Sequence, residues 1–135
     1  IVQGTAAVGC VCDGIGSFAY SEIASEMVTE GVRLWFQSAA DGRLGNLTEE
    51  ELTEDLCATI RELNELVWER GERERLDLGC TMSALLLIGR SYHIFHAGDS
   101  RICLAGDLLR QLSSSAPTGC FTERRRKSCA RRRAE

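Results

Sequence analysis

The order in which two hydrophobic periods follow one another restricts this chain more than any other feature. Residues 6 to 12, AAVGCVC, are small and apolar with no polar alternation, the pattern of a strand covered on both faces. From Ser21 the apolar positions Ala24, Val28, Val32 and Trp35, with Ile23 and Met27 beside them, repeat at close to the helical period, which predicts a helix over 21–39 with one buried face. The turn DGRLGN ends it. Thr48 then stands at capping-box spacing before Glu51, and Leu52, Leu56, Ile60, Leu63 and Val67 follow in steps of three and four, so a second helix is predicted over 49–69. Beyond the charged connector ERGERERLDLG the period changes again. CTMSALLLIG, SYHIFHAGDS and RICLAGDLLRQLS are apolar runs separated by Gly89-Arg90-Ser91, Gly98-Asp99 and Gly106-Asp107. Connections this short join only antiparallel neighbours. Residues 84–88 and 92–97 are apolar on both faces, so the sheet is expected to lie between two other layers.

The stretch VCDGIGSFAYSEIASEM, residues 11–27, carries the strand pattern through glycines into the first helix. Gly14, Gly16 and Ala19 match the G-x-G-x-x-A spacing of a dinucleotide-binding loop. That loop needs a parallel strand after the helix, ending in an acidic residue about 20 positions beyond the glycines. A second helix stands there instead, which argues against a nucleotide fold. The same stretch also reads as an aspartate at a strand end. Asp13 closes VGCVC and Asp99 closes YHIFHA, each beside a glycine in a tight turn. Carboxylates gathered at one sheet edge suit a hard divalent ion such as Mg2+ or Mn2+, and a glycine lets the Gly14 carbonyl approach it. An aspartate beside glycine equally caps its own turn. Spacing alone leaves both readings open.

VCDGIGSFAYSEIASEMVTEG, followed after the second helix pattern by LGCTMSALLLIGRSYHIFHAGDSRICLAGDLLRQLS, resembles the metal-dependent protein serine/threonine phosphatases of the protein phosphatase 2C family. The first stretch is similar to that family's strand, D-G-x-G-G turn and helix, the second to its G-T-T strand, hairpin and G-D-S-R turn. Over residues 6–112 the resemblance implies the first half of an α/β domain of the α+β type, an antiparallel β-sandwich flanked by helices in α-β-β-α layers. It implies that Asp13 bridges two metal ions, that Gly14 binds one of them through its carbonyl, and that Asp99 belongs to a further, weaker metal position. The implied reaction is hydrolysis of phosphoserine or phosphothreonine in proteins by water held between Mg2+ or Mn2+ ions, without a phosphoenzyme. The implied partners are a phosphorylated protein substrate and a serine/threonine kinase.

Departures from the family pattern bear on that reading. Ser17 replaces the second glycine of the turn and Cys80 the first threonine of G-T-T, neither of them a metal ligand. The upstream acidic strand and the phosphate-contacting arginine have no counterpart, and beyond Asp99 the acidic residues are Asp107, Glu123 and Glu135. The chain is therefore expected to lack part of the family's ligand set. A catalytically silent phosphatase-like module that binds a phosphoprotein or kinase is the alternative.

Other chemistry-bearing residues read as structural. His93 and His96, three apart on a strand pattern, face opposite sides and cannot chelate one ion. Cys10 and Cys12 share a face, but two thiols without a second pair make a poor zinc site, and they read as small core residues. Seven cysteines without a C-x-x-C pair suit reduced thiols better than a disulfide framework. Arg101 reads as a support for its hairpin turn. No apolar run approaches the roughly 18 residues of a membrane helix, so a cytoplasmic chain with no membrane partner is expected. Residues 1–122 carry a net charge of −9 and residues 123–135 one of +5. The acidic part argues against a nucleic-acid partner, and the basic run has no interleaved aromatics to stack on bases. Residues 1–112 are thus expected to form the partial phosphatase domain and 113–135 a basic, disordered tail. The sequence opens at Ile1, close to the first strand and without an initiator Met, so a preceding segment is expected.

Overall fold

The structure, a computed structural model, describes residues 1–16 and 19–113, and the backbone of 116–126. In chain order the elements are β1 (Val2–Gln3), β2 (Ala6–Val11), α1 (Ser21–Ala40), α2 (Glu49–Glu74), β3 (Met82–Ile88), β4 (Ser91–Gly98), β5 (Cys103–Leu104), β6 (Arg110–Gln111) and β7 (Ala116–Arg126). Five strands form one sheet in the order β1-β2-β3-β4-β7, and β5 pairs with β6 in a second sheet of two. Ala6 lies opposite Ile88 and Val11 opposite Ser83, while Met82 lies opposite Ala97 and Ile88 opposite Ser91. Among the described residues every pairing is antiparallel, which excludes the dinucleotide arrangement.

Both helices lie on one face of the large sheet, giving an α+β fold. The apolar stripe of α1 buries Ala24, Val28, Val32, Trp35, Phe36 and Ala39, and α2 adds Leu52, Leu56 and Val67. They meet Ala6, Val8, Met82, Ala84, Leu86 and Phe95 of the strands. Phe36, Phe95, Leu56, Leu86 and Val32 are fully buried, each contributing about 1.5–3 kcal/mol relative to an exposed side chain. The Trp35 indole N–H donates to Asp55 Oδ2 at 2.8 Å and ties the two helices together. The capping box forms at the start of α2: Glu51 N–H donates to Thr48 Oγ1 at 3.2 Å and Thr48 N–H to Glu51 Oε2 at 2.8 Å. α2 runs on to Glu74, past its expected end, because the glutamates and arginines of the connector are good helix formers.

On the opposite face a smaller cluster gathers Tyr92, Ile94 and Leu112, with Leu85 and Ile102 against it. Toward β1 and β2 that face is open, with Val11 69% and Val2 75% exposed. His93 and His96 are both buried. His96 Nδ1 lies 3.0 Å from Ser83 Oγ, while its Nε2 is buried with no partner among the described residues. Among the described residues no helix is long and apolar enough to cross a membrane.

Two sequence expectations are corrected. RICLAGDLLRQLS does not add a third strand to the meander. It folds back on itself as the β5–β6 hairpin, with Cys103 opposite Gln111, because the turn at Gly106-Asp107 brings the two ends of the run together. The place beside β4 is taken by β7, which falls inside the segment expected to be disordered. Ser91 lies opposite Arg126 and His96 opposite Phe121, with a register shift before Gly98 pairs with Ala116. An open strand edge offers backbone N–H and C=O groups to any extended segment, so no apolar period is needed to mark the strand that pairs there. Residues 127–135 of the expected tail lie outside the described residues.

Core and cap make different predictions. Phe36→Ala should lower unfolding free energy by about 3–5 kcal/mol in urea titrations, whereas Leu108→Ala, at an 85% exposed position, should change it by less than about 0.5 kcal/mol. Thr48→Ala should cost about 1 kcal/mol. The backbone bond from Thr48 holds the Glu51 carboxyl below the usual glutamate range. Its contribution is present above the unfolded pKa and lost as pH falls through the folded one, so the acid-dependent part should vanish in Glu51→Gln and largely survive in Thr48→Ala, which keeps the backbone N–H.

Candidate functional site

The strand ladder between β2 and β3 continues past the end of β2 and builds the site. Thr81 N–H donates to the Asp13 carbonyl at 2.8 Å and Ile15 N–H to the Gly79 carbonyl at 3.0 Å, which makes an isolated antiparallel bridge between Gly14 and Cys80. These bonds use the groups on either side of Gly14. Its own N–H and C=O therefore point to the opposite edge, away from β3. Gly14 must be glycine here, since an added Cβ would sit 2.8 Å from the Ser21 carbonyl oxygen in the first turn of α1.

Thr81 links the two aspartate turns. Asp13 N–H donates to Thr81 Oγ1 at 3.3 Å, and Thr81 Oγ1 lies 2.9 Å from Ser100 Oγ in the turn that contains Asp99. Gly98, which enters that turn, has φ +111, and a Cβ on it would meet Thr81 Cγ2 at 2.7 Å. Asp13, Gly14 and Asp99 are thus brought to one edge of the sheet, with both carboxylates on exposed residues. Asp99 follows β4, two strands from Asp13, a spacing of roughly 10 Å between strand axes. Carboxylate and carbonyl oxygens are the donors a hard divalent ion takes, and Asp13 with Gly14 fits as one part of such a shell. Among the described residues no group of three or more His, Cys, Asp or Glu side chains is arranged to hold a metal ion.

Sequence reasoning missed two members of this edge. Thr81 and Ser100 follow Cys80 and Asp99 in the matched motifs, and a hydroxyl beside each turn was the signal available for them. Arg101, read as the turn's support, is exposed, and the hydroxyl pair holds the turn instead. Ser17 lies outside the described residues. Cys80 also turns out to join Cys10 and Cys12 on the helix side. Cys10 Sγ and Cys12 Sγ lie 3.7 Å apart. Hydrogen bonds from Cys10 and then Cys80 draw the Cys12 thiol below the usual range, and the same bonds to Cys12 push Cys10 and Cys80 up. Thr29 adds no donor to this set, because its single hydroxyl proton goes to the Ser25 carbonyl at 2.6 Å.

Aspartate turns gathered at one edge of an antiparallel sheet, with helices packed on one face, are the arrangement expected of a metal-dependent phosphatase. The chain belongs to the protein phosphatase 2C family, whose sequence profile matches residues 1–123. Solved structures agree. The serine/threonine phosphatase PstP/Ppp of Mycobacterium tuberculosis superposes with a TM-score of 0.63 at 25% identity, over 85% of this chain and 49% of that one. The catalytic domain of PstP in complex with 2 manganese ions gives 0.61 at 23% identity, over 85% and 51%. PppA, a key regulatory component of T6SS in Pseudomonas aeruginosa, gives 0.63 at 22% identity, over 78% and 44%. The chain thus spans about half the length of these structures. No curated protein matches its sequence.

Removal of the hydroxyl in Thr81→Val should cost about 1 kcal/mol or more, because the Asp13 amide and Ser100 each lose a partner. Gly14→Ala should cost about 1–3 kcal/mol by forcing the first turn of α1 away. Denaturant unfolding of the two variants checks both, and stability equal to the parent in Gly14→Ala would contradict the close approach.

Proposed function

We propose that the chain supplies Asp13, Gly14 and, as a weaker contributor, Asp99 to the divalent-metal site of a phosphatase that removes phosphate from serine or threonine in proteins. The observation that carries this reading is the hydroxyl link through Thr81, which bonds the Asp13 amide on one side and the Ser100 side chain beside Asp99 on the other, with both aspartates exposed at one edge. Family membership supports it as well. When bound, Mg2+ or Mn2+ would lower the pKa of water and offset negative charge on the phosphoryl group. The part of this chain is to hold oxygen ligands. The Asp13 carboxylate and Gly14 carbonyl would orient the cation, and the bonds from Thr81 would keep the Asp13 backbone from moving as charge is bound.

The substrate in this reading is a phosphoprotein, with an opposing serine/threonine kinase, in signalling within the cytoplasm. One observation favours a second reading, a silent module that binds a phosphoprotein or kinase. Asp13, Gly14 and Asp99 are too few donors to hold an ion against its hydration shell, since cations with one or two carboxylates keep most of their waters and bind loosely.

Titration of the 135-residue chain with Mn2+, followed by paramagnetic resonance, should show weak binding. Asp13→Ala should abolish it and Asp99→Ala should weaken it less. Hydrolysis of p-nitrophenyl phosphate or a phosphothreonine peptide by this chain should be negligible. Mn2+ affinity that survives Asp13→Ala would remove the basis of the site, and robust turnover by the chain would show that its own residues suffice.

A further inference from the structure

Cys10, Cys12 and Cys80 carry free thiols and converge at the end of β2, immediately before Asp13. Cys10 and Cys12 are in sulfur–sulfur contact at 3.7 Å. A cleft of about 370 Å³, lined by Cys12, Ser25, Glu26, Thr29 and Glu30, opens on Cys12 from the side of α1. Contact between two thiols and an access route to one of them together describe a site of oxidation. We propose that Cys10 and Cys12 close a reversible disulfide when hydrogen peroxide enters this cleft. The two thiols give two hydrogens and two electrons to the peroxide, one S–S bond forms, and two waters leave.

The pairing follows from what each cysteine is tied to. Cys12 stands between the last pair of β2 with β3, Val11–Ser83, and the isolated bridge Gly14–Cys80, two residues from Cys10 and on the same face. Closing the bond brings the sulfurs together by about 1.7 Å, from contact to bonding distance, a movement taken up between the Val11–Ser83 pair and the Gly14–Cys80 bridge. A bond to Cys80 would instead cross between two chain segments fixed on either side of it, where Ile15 donates to Gly79 and Thr81 to Asp13. The Glu26 carboxylate in the cleft, beside a Glu30 paired with Arg33, favours a small neutral oxidant over a bulky anionic one such as glutathione disulfide. Because Asp13 follows Cys12 directly, the closed disulfide would displace the Asp13 backbone from Thr81. Loss of metal affinity on oxidation rests on the assignment of Asp13 to a metal, whereas the disulfide does not.

Peptide mass mapping of the intact chain tests the proposal. After brief peroxide treatment, alkylation and trypsin digestion, the peptide of residues 1–33, which contains both Cys10 and Cys12, should be unalkylated and lighter by two hydrogens. Dithiothreitol should restore both alkylation sites. Glutathione disulfide at equal concentration should produce less of the oxidised peptide. Cys12→Ser and Cys10→Ser should each abolish it. Full alkylation of residues 1–33 after treatment, or a cross-link from them to the peptide of residues 76–90 that carries Cys80, would overturn the proposal. The mapping reads the thiols alone, so its result is independent of Mn2+ binding by Asp13→Ala.

Discussion

Pairing of β2 with β3 is the constraint on which the rest of the domain depends. The two strands are separated in sequence by both helices, so the ladder from Ala6–Ile88 to Val11–Ser83 closes only after the chain has gone out along α1 and returned along α2. Closing a long loop costs entropy before any contact rewards it. The repayment is that helix stripes and strand faces bury one another in a single step. Without β2 beside β3, the row of Ala24, Val28, Val32 and Phe36 would have only half a sheet to cover.

The same ladder produces the site by running slightly too far. Past Val11 and Ser83 it persists as the Gly14–Cys80 bridge, in a region where the strands are already turning away. There the backbone bonds that would continue a sheet hold a turn instead, and the hydroxyl of Thr81 serves both sides of β3 at once. Two glycines make this possible for the same steric reason. Gly14 admits the first turn of α1, and Gly98 admits Thr81. The acidic residues next to them are exposed, and Thr81 secures the Asp13 backbone through both its amide and its carbonyl.

The opposite face of the sheet is only partly covered among the described residues. The β5–β6 hairpin contributes Leu112 and Ile102 against Tyr92 and Ile94, but Val2 and Val11 stay exposed. His96 is buried with one ring nitrogen bonded to Ser83 and the other unmatched among the described residues, a cost of about 1–3 kcal/mol that other parts of the fold must offset. Only part of the second layer expected from the apolar pattern is formed by the described residues.

Periodicity and turn chemistry by themselves determined the helices, the capping box at Thr48, the β3–β4 hairpin and the position of Asp13 and Asp99 at strand ends. All of these are local, since each depends on residues within one or two turns of chain. Only the tertiary structure decided that Thr81 and Ser100 join the two aspartate turns, that Cys80 reaches Cys12, and that β7 rather than the β5–β6 run lies beside β4. The physical reason is register. A threonine or cysteine on a strand carries no sign of which residue will stand opposite, because that is set by how hydrophobic faces align across the whole sheet. The edge strand was hidden more deeply still, since backbone groups pair there whatever side chains the sequence supplies.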